Sequence, residues 1–342
     1  MATCDVGDDV WDLDFTVKEL ERLSASLLGK EAAIFVPSSC MANLIAVMAH
    51  CDGRGEEILV GDRSHISLYE QGNVSTIGGV HVRSLKNFEN GTFSLDELMM
   101  KIRPENNVHF PKTRLVCIET SHNMCGGSAI PKSFIDDVRK QIGDKVSIHI
   151  DGARVFNSIT ALNVDPADYV ASADSIAVCL SKGLGAPVGA VLVGSTAFIS
   201  KAKMLRKALG GGMRQAGVIA CCGLIALKDM VDRLKEDHEN AKFLYTLLVS
   251  IPGVIISEPQ TNIVKFSLDP QIFKNVDLGG LTGELQKRNV WMITVDEGRA
   301  VRVVTHLHVT SEDVETAGKI LRDVLNQVRN GEISLAHSLR VY

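Results

Sequence analysis

Apolar residues at positions 17, 20, 23, 27 and 28 recur at helical spacing and Gly29 follows them, which predicts a helix over residues 16–28. Residues 32–36 are an unbroken apolar run of strand length, and the small polar turn after them opens an apolar helix that reaches about residue 50. Further apolar runs at 58–60, 114–119, 146–150, 175–180 and 188–193 read as strands, with a helix over 131–141 between two of them. Strands alternating with helices predict a mostly parallel sheet wrapped by helices. Such sheets bind ligands beyond the carboxyl ends of their strands. A long helical stretch covers about 215–248. Beyond Pro252 the texture shifts to short runs at 254–256, 263–266, 290–293 and 301–304, with helices near 278–287 and 311–328, the pattern of a small α+β domain. The expected architecture is α/β: a large domain over 1–225, a connecting helix over 226–250, a small C-terminal domain over 251–330 and a tail over 331–342.

A chain of 342 residues suits one large domain plus a smaller one, and 45% hydrophobic residues allow a sizeable core. The formal net charge of -5, with no basic block to offset it, argues against a nucleic-acid partner. No apolar run reaches membrane-spanning length, so no membrane partner is expected. The eight cysteines are scattered and form no C-x-x-C pair, which fits neither a disulfide framework nor a metal site; no metal is expected. Reduced thiols and the absence of a signal or transit pattern in residues 1–9 suit the cytoplasm, with a mitochondrial address open to a longer form.

The polar residues at the predicted strand ends carry the chemistry. Val178-Cys-Leu-Ser-Lys-Gly-Leu-Gly-Ala-Pro187 delivers Lys182 from an apolar strand into a loop of small residues. Partial burial suits such an amine to Schiff-base formation, although a lysine in a turn is more often a surface residue. His149-Ile-Asp-Gly-Ala-Arg154 ends a strand on Asp151. That aspartate either caps the next helix or pairs with a buried cation such as the protonated ring nitrogen of pyridoxal phosphate. Its place one β-α-β unit before Lys182 favours the second. Val36-Pro-Ser-Ser-Cys-Met-Ala-Asn43 is a strand-to-helix turn that can offer N–H groups to a phosphate, though an N-cap serine explains it equally well. His65 and Tyr69 are spaced to share a helix face; the imidazole either stacks on a ring or faces solvent. Arg214 follows three consecutive glycines, where chain or ligand comes close, and suits a phosphate. Arg302 lies inside an apolar run and needs an anion, either a substrate carboxylate or a structural acid.

From Val6-Gly-Asp-Asp-Val10 to about Val309 these segments, in order, resemble the low-specificity L-threonine aldolase family, which has the aspartate-aminotransferase-like fold (fold type I) of pyridoxal-phosphate enzymes. The most specific pieces are Cys179-Leu-Ser-Lys-Gly-Leu-Gly-Ala-Pro-Val-Gly189, His149-Ile-Asp-Gly-Ala-Arg-Val-Phe-Asn157, Gly210-Gly-Gly-Met-Arg-Gln215 and Val304-Thr-His306. The resemblance implies that Lys182 holds pyridoxal 5'-phosphate covalently, that Asp151 pairs with the ring nitrogen and that Arg154 is the cofactor-side arginine, also near the substrate. By the same resemblance His65 stacks on the ring, His109 in Val108-His-Phe110 lies near the substrate hydroxyl, and Arg302 takes the substrate carboxylate. Ser39 and Cys40 would form the phosphate turn, Arg214 would reach the partner subunit's phosphate, and Tyr69 would line the pocket. The implied enzyme is a lyase of threonine catabolism and glycine formation. It would cleave L-threonine or L-allo-threonine, a small amino-acid substrate, to glycine and acetaldehyde as a homodimer or homotetramer.

Three departures stand out. The chain begins beyond the family's first strand and its Ser-Asp-Thr segment. Val6-Gly-Asp-Asp-Val-Trp-Asp-Leu-Asp-Phe15 replaces Val-Gly-Asp-Asp-Val-Tyr-Gly-Glu-Asp-Pro. The phosphate turn reads Ser38-Ser-Cys40 where the family has Ser-Gly-Thr. Two alternatives therefore stay open: a shortened copy with little or no activity, and another lyase of the same fold type.

Overall fold

The computed structural model describes residues 1–274 and 276–335, in two compact units, Met1–Arg233 and Leu234 onward. Of the tail expected over 331–342, residues 336–342 lie outside the described residues.

The first unit is built on a seven-stranded sheet. Its strands are β1 (Ala32–Val36), β2 (Glu56–Gly61), β3 (His81–Leu85), β4 (Lys112–Glu119), β5 (Ser147–Gly152), β6 (Ser175–Cys179) and β7 (Ala190–Gly194), in the order β1-β7-β6-β5-β4-β2-β3. The pairs from β3 through β2, β4 and β5 to β6 are parallel; β7 alone runs against its neighbours. Strands covered on both faces read as continuous apolar runs, and β6 and β7 are buried at every position. The edge strand β3 has no such run and is half exposed, so the hydrophobic pattern gives no sign of it.

Ten helices of this unit are named: α1 (Phe15–Leu27), α2 (Ser39–His50), α3 (His65–Leu68), α4 (Asn73–Thr76), α5 (Leu95–Lys101), α6 (Lys132–Ile142), α7 (Val155–Leu162), α8 (Pro166–Tyr169), α9 (Thr196–Ala208) and α10 (Gly217–Asp229). Because β1 and β2 stand far apart in the sheet, α2 must cross it, and it packs over β7, β6, β5 and β4 on the way. Its Ala42, Ile45, Ala46 and Ala49 share one core with Ile34, Ala177, Leu192 and the α9 residues Phe198 and Ala202. Non-directional apolar burial of this kind fixes the helix on the sheet.

The segment before α1 is tied down by charge. Asp9 pairs with Arg206 at 2.8 Å, both 8% exposed, and Arg206 also donates to the Phe35 carbonyl at 2.7 Å. Asp14 caps α1 and accepts from Gly217 N at 2.8 Å. The small residues of two sequence motifs prove to serve packing of the protein on itself. A Cβ on Gly189, at φ +107°, would lie 2.4 Å from the Phe35 ring, and one on Gly211 would lie 2.3 Å from Met41 Sδ.

The second unit holds α11 (Leu234–Val249), β8 (Val254–Ile256), β9 (Ile263–Leu268), α12 (Leu278–Gln286), β10 (Ile293–Val295), β11 (Ala300–Val304) and α13 (Ser311–Arg329). Its antiparallel sheet runs β10-β11-β9-β8 around a core that includes Leu244, Leu248, Phe266, Leu281, Val301 and Leu321. The single helical stretch expected over 215–248 is two helices, α10 and α11, interrupted at 230–233. Helix-forming residues run on through the break, but Ala220, Gly223 and Ala226 are buried in the first unit and Ala241, Leu244 and Leu248 in the core of the second.

Candidate active site

The carboxyl ends of four strands gather the polar residues of the first unit. β5 delivers Asp151, 2% exposed, whose Oδ1 accepts from Ala153 N at 3.1 Å and whose Oδ2 accepts from Asn43 Nδ2 at 3.0 Å. Glu119 ends β4 as its register partner. One Glu119 oxygen accepts from His65 N at 2.6 Å and the other from Asn123 N at 2.8 Å. Beyond β2, the one-turn helix α3 places His65, whose Nδ1 meets Glu70 Oε1 at 2.9 Å. Glu70 Oε1 also accepts from Asn43 Nδ2 at 2.8 Å. Asn43 thus bridges the partner of His65 to Asp151.

Lys182 leaves β6 through a tight turn in which Gly185 N donates to the Lys182 carbonyl at 2.9 Å. The side chain is half buried, and among the described residues its amine makes no hydrogen bond or ion pair. Its charge is felt at Asp151, His65 and Cys40. Burial, reinforced by the neighbouring Glu119 and Glu70, pushes the Asp151 carboxyl up to about 6, and Lys182 and His65 work against that rise. The Glu70 hydrogen bond raises His65. Burial, then Glu70 and Asp151, raises the Cys40 thiol.

At the head of α2, Ser38 is the cap, its Oγ accepting from Met41 N at 3.2 Å. The buried Ser39 Oγ has no hydrogen-bond partner among the described residues. Cys40 offers a sulfur within 4.8 Å of ligand atoms of both His65 and Glu70, a mixed donor set that no sequence spacing announces. The Tyr69 ring tilts against His65 with centroids 5.7 Å apart, and its hydroxyl lies 3.4 Å from Met124 Sδ.

Arg154 begins α7 just past β5, half buried, with its charge felt at Glu119. Arg214 is 59% exposed and donates to Asp8 at 2.7 Å. His109 lies on an exposed turn before β4, its N–H bonded to Asn107 Oδ1 at 3.0 Å. Arg302 belongs to the second unit, on β11, opposite Ile293 on one side and Lys265 on the other.

Three residues of the site are not among those the sequence motifs single out: Asn43, Glu70 and Glu119. Two carry a signal. Glu119 closes an apolar run just as Asp151 does, and Asn43 is a lone amide in the apolar middle of a helix.

A free lysine amine, a buried carboxylate short of a cation, an orphaned serine hydroxyl at a helix N-terminus and a half-exposed imidazole make one donor set. It fits a phosphorylated heteroaromatic aldehyde with a basic ring nitrogen, as pyridoxal phosphate is.

Comparison with known proteins agrees. Residues 1–270 match the family model of the beta-eliminating lyases. Low-specificity L-threonine aldolase 1 of Arabidopsis thaliana is 42% identical over 318 residues, which cover 92% of this chain and 88% of the plant protein. The low specificity L-threonine aldolase of Escherichia coli (strain K12) is 37% identical over 315 residues, covering 92% of this chain and 90% of that one. A solved structure of Leishmania major threonine aldolase superposes with a TM-score of 0.78 at 18% identity, covering 94% of this chain and 92% of that chain, and so shares the fold.

Proposed function

Because the chain belongs to the beta-eliminating lyase family and, within it, to the low-specificity L-threonine aldolases, we propose that it cleaves L-threonine and L-allo-threonine to glycine and acetaldehyde with pyridoxal 5'-phosphate. The observation that carries the cofactor assignment is Asp151: a fully buried carboxylate, raised to about 6 by its surroundings, beside a lysine amine that makes no bond among the described residues.

Bound pyridoxal phosphate supplies an aldehyde that condenses with amines and a ring that draws off the electron pair released when a bond at Cα breaks. The protein does the rest. Lys182 Nζ would hold the group covalently until the substrate amine replaces it. Asp151 would hold a proton on the ring nitrogen, and its burial would make that pairing stronger than in water. Ser39 Oγ, the Cys40 region and the N-terminus of α2 take the phosphate. His65, fixed at Nδ1 by Glu70 and at its backbone N–H by Glu119, would pack against the ring. Arg302 takes the substrate carboxylate with its planar fork, and Arg154 flanks cofactor and substrate. His109 is assigned the substrate hydroxyl, whose proton must leave as Cα–Cβ breaks. Tyr69 bounds the pocket, and Arg214 serves the partner subunit's phosphate once it lets go of Asp8.

A homodimer or homotetramer in the cytoplasm, working in threonine breakdown and glycine supply, completes the proposal. Among the described residues no helix is long and apolar enough to cross a membrane. The deciding experiment measures acetaldehyde and glycine from both substrates with the wild-type protein and Lys182→Ala. Stoichiometric aldehyde and glycine, abolished in the variant, support the reading. Ammonia without aldehyde would make the chain a β-eliminating enzyme instead.

A further inference from the structure

Asn43 and His50 stand two turns apart on α2, where it crosses the sheet, and between them lie His149 of β5 and Ser175 of β6, themselves register partners. Asn43 Oδ1 is 3.1 Å from His149 Nε2, His149 Nδ1 is 2.9 Å from Ser175 Oγ, and His50 Nε2 is 2.8 Å from the same oxygen. Asn43, His149 and Ser175 are all fully buried.

The direction of every bond follows from chemistry. Ionised carboxylates only accept, so both amide hydrogens of Asn43 are spent on Asp151 and Glu70 and its oxygen faces His149. That oxygen needs a donor, which puts the His149 proton on Nε2. The bare Nδ1 then accepts from the Ser175 hydroxyl, and the Ser175 oxygen accepts from His50 Nε2–H. All donors point one way, from His50 toward the carboxylates. A second proton on His149 would leave the Ser175 hydroxyl hydrogen without an acceptor, in keeping with burial pushing His149 down to about 3 and His50 down to about 4.

We propose that His149, backed by Ser175 and His50, is a positioning residue that locks the Asn43 amide with its hydrogens on Asp151 and Glu70. The inference rests on Asp151 being the ring-nitrogen partner. With the amide reversed, its oxygen would face two carboxylates at 2.8 and 3.0 Å and drive both toward their protonated forms. The network therefore holds Asp151 ionised among the groups whose charges reach it, Glu119, Glu70, Lys182 and His65, and those its own charge reaches, Cys40, Cys117 and His122. It also fixes the Glu70 oxygen that orients His65.

Nitrogen-resolved NMR of the imidazoles in the cofactor-free wild-type protein tests this without any variant or any turnover. Nε2–H tautomers are expected for both His149 and His50; an Nδ1–H tautomer at His149 overturns the proposal. Titration with pyridoxal phosphate across pH then separates positioning from packing. His149→Leu is expected to move the acid limb up by about one pH unit, and so to weaken affinity about tenfold near pH 5. His149→Gln, which keeps a donor for Asn43, is expected to stay within about threefold of wild type. Equal losses in both variants, or an unmoved limb in His149→Leu, overturn the positioning role. Wild-type protein that takes up no pyridoxal phosphate overturns the functional reading instead, and the tautomers still decide the network.

Discussion

Glu119 and Asp151 face each other as register partners at the carboxyl ends of β4 and β5, two buried carboxylates side by side, yet they are satisfied differently. Glu119 is held by two backbone N–H groups, whereas Asp151 has one backbone N–H and one amide; burial raises both carboxyls, that of Asp151 to about 6. Below that value a cationic ring nitrogen can pair with Asp151 only if the carboxyl first gives up its proton. Binding then releases a proton, so cofactor affinity is expected to fall with falling pH, approaching roughly tenfold per unit. Asp151→Asn removes this limb and lowers cleavage on the order of 10²–10³-fold. Equilibrium titrations at several pH values check it; an acid limb that survives in the variant assigns the proton elsewhere.

The guanidinium of Arg302 is assigned the substrate carboxylate, a contact made alike before and during bond breaking. Loss of such uniform binding raises KM and leaves kcat nearly alone. Arg302→Lys keeps the charge but loses the fork, and is expected to raise KM for threonine about tenfold. Steady-state kinetics with both substrates decide this. A fall in kcat at constant KM would mean that Arg302 acts only in the transition state and would overturn its assignment to uniform carboxylate binding.

What the sequence made legible follows from locality. Lys182 and Asp151 could be read because each ends its own apolar strand, and the family motifs sit on those same turns. Asn43 could not, because its meaning comes from α2 crossing the sheet, which sets it against Asp151, 108 residues further on. Glu70 gains its role the same way, through Asn43 and His65 together. The edge strand β3 lacks the double burial that writes an apolar run. The break between α10 and α11 marks a change of core rather than a change of pattern, and periodicity cannot register it.

The buried histidines make a second pH prediction, on stability. Burial holds His149 at about 3, far below the ordinary value of 6.5, so the native state refuses a proton that the unfolded chain accepts. Stability contributed by neutral His149 is therefore fully present above about pH 6.5 and is lost as pH falls from there toward 3. His149→Gln has no proton to take up in either state. Its unfolding free energy should lie below wild type at neutral pH, but the slope with pH between roughly 4.5 and 6 should be shallower by up to about 1.4 kcal/mol per unit. Denaturant unfolding of the cofactor-free proteins across that range measures the slopes. Parallel curves would mean that His149 is protonated in the native state.

Gly189 joins the stability of the sheet to the placing of Lys182, and a single methyl group tests the connection. Its φ of +107° already disfavours any side chain, and a Cβ there would stand 2.4 Å from Cε2 of Phe35, which is fully buried in β1. Neither backbone nor ring has room to retreat, so Gly189→Ala is expected to cost on the order of 3 kcal/mol. Gly72 provides the control: its φ of +61° and ψ of 25° lie in the left-handed helical region and nothing lies within 4 Å of where a methyl would stand, so Gly72→Ala bears conformational strain alone, about 1 kcal/mol. The damage at Gly189 should also travel. Its carbonyl accepts from Leu180 N at 3.0 Å, two residues before Lys182, so a displaced Gly189 shifts the turn that presents the amine. Thermal unfolding should rank Gly189→Ala well below Gly72→Ala. Borohydride trapping of pyridoxal phosphate on Lys182 should be impaired in the first variant and unchanged in the second. Equal melting temperatures would mean that the Phe35 ring yields readily, and the coupling between β1 and the lysine turn would fail with it.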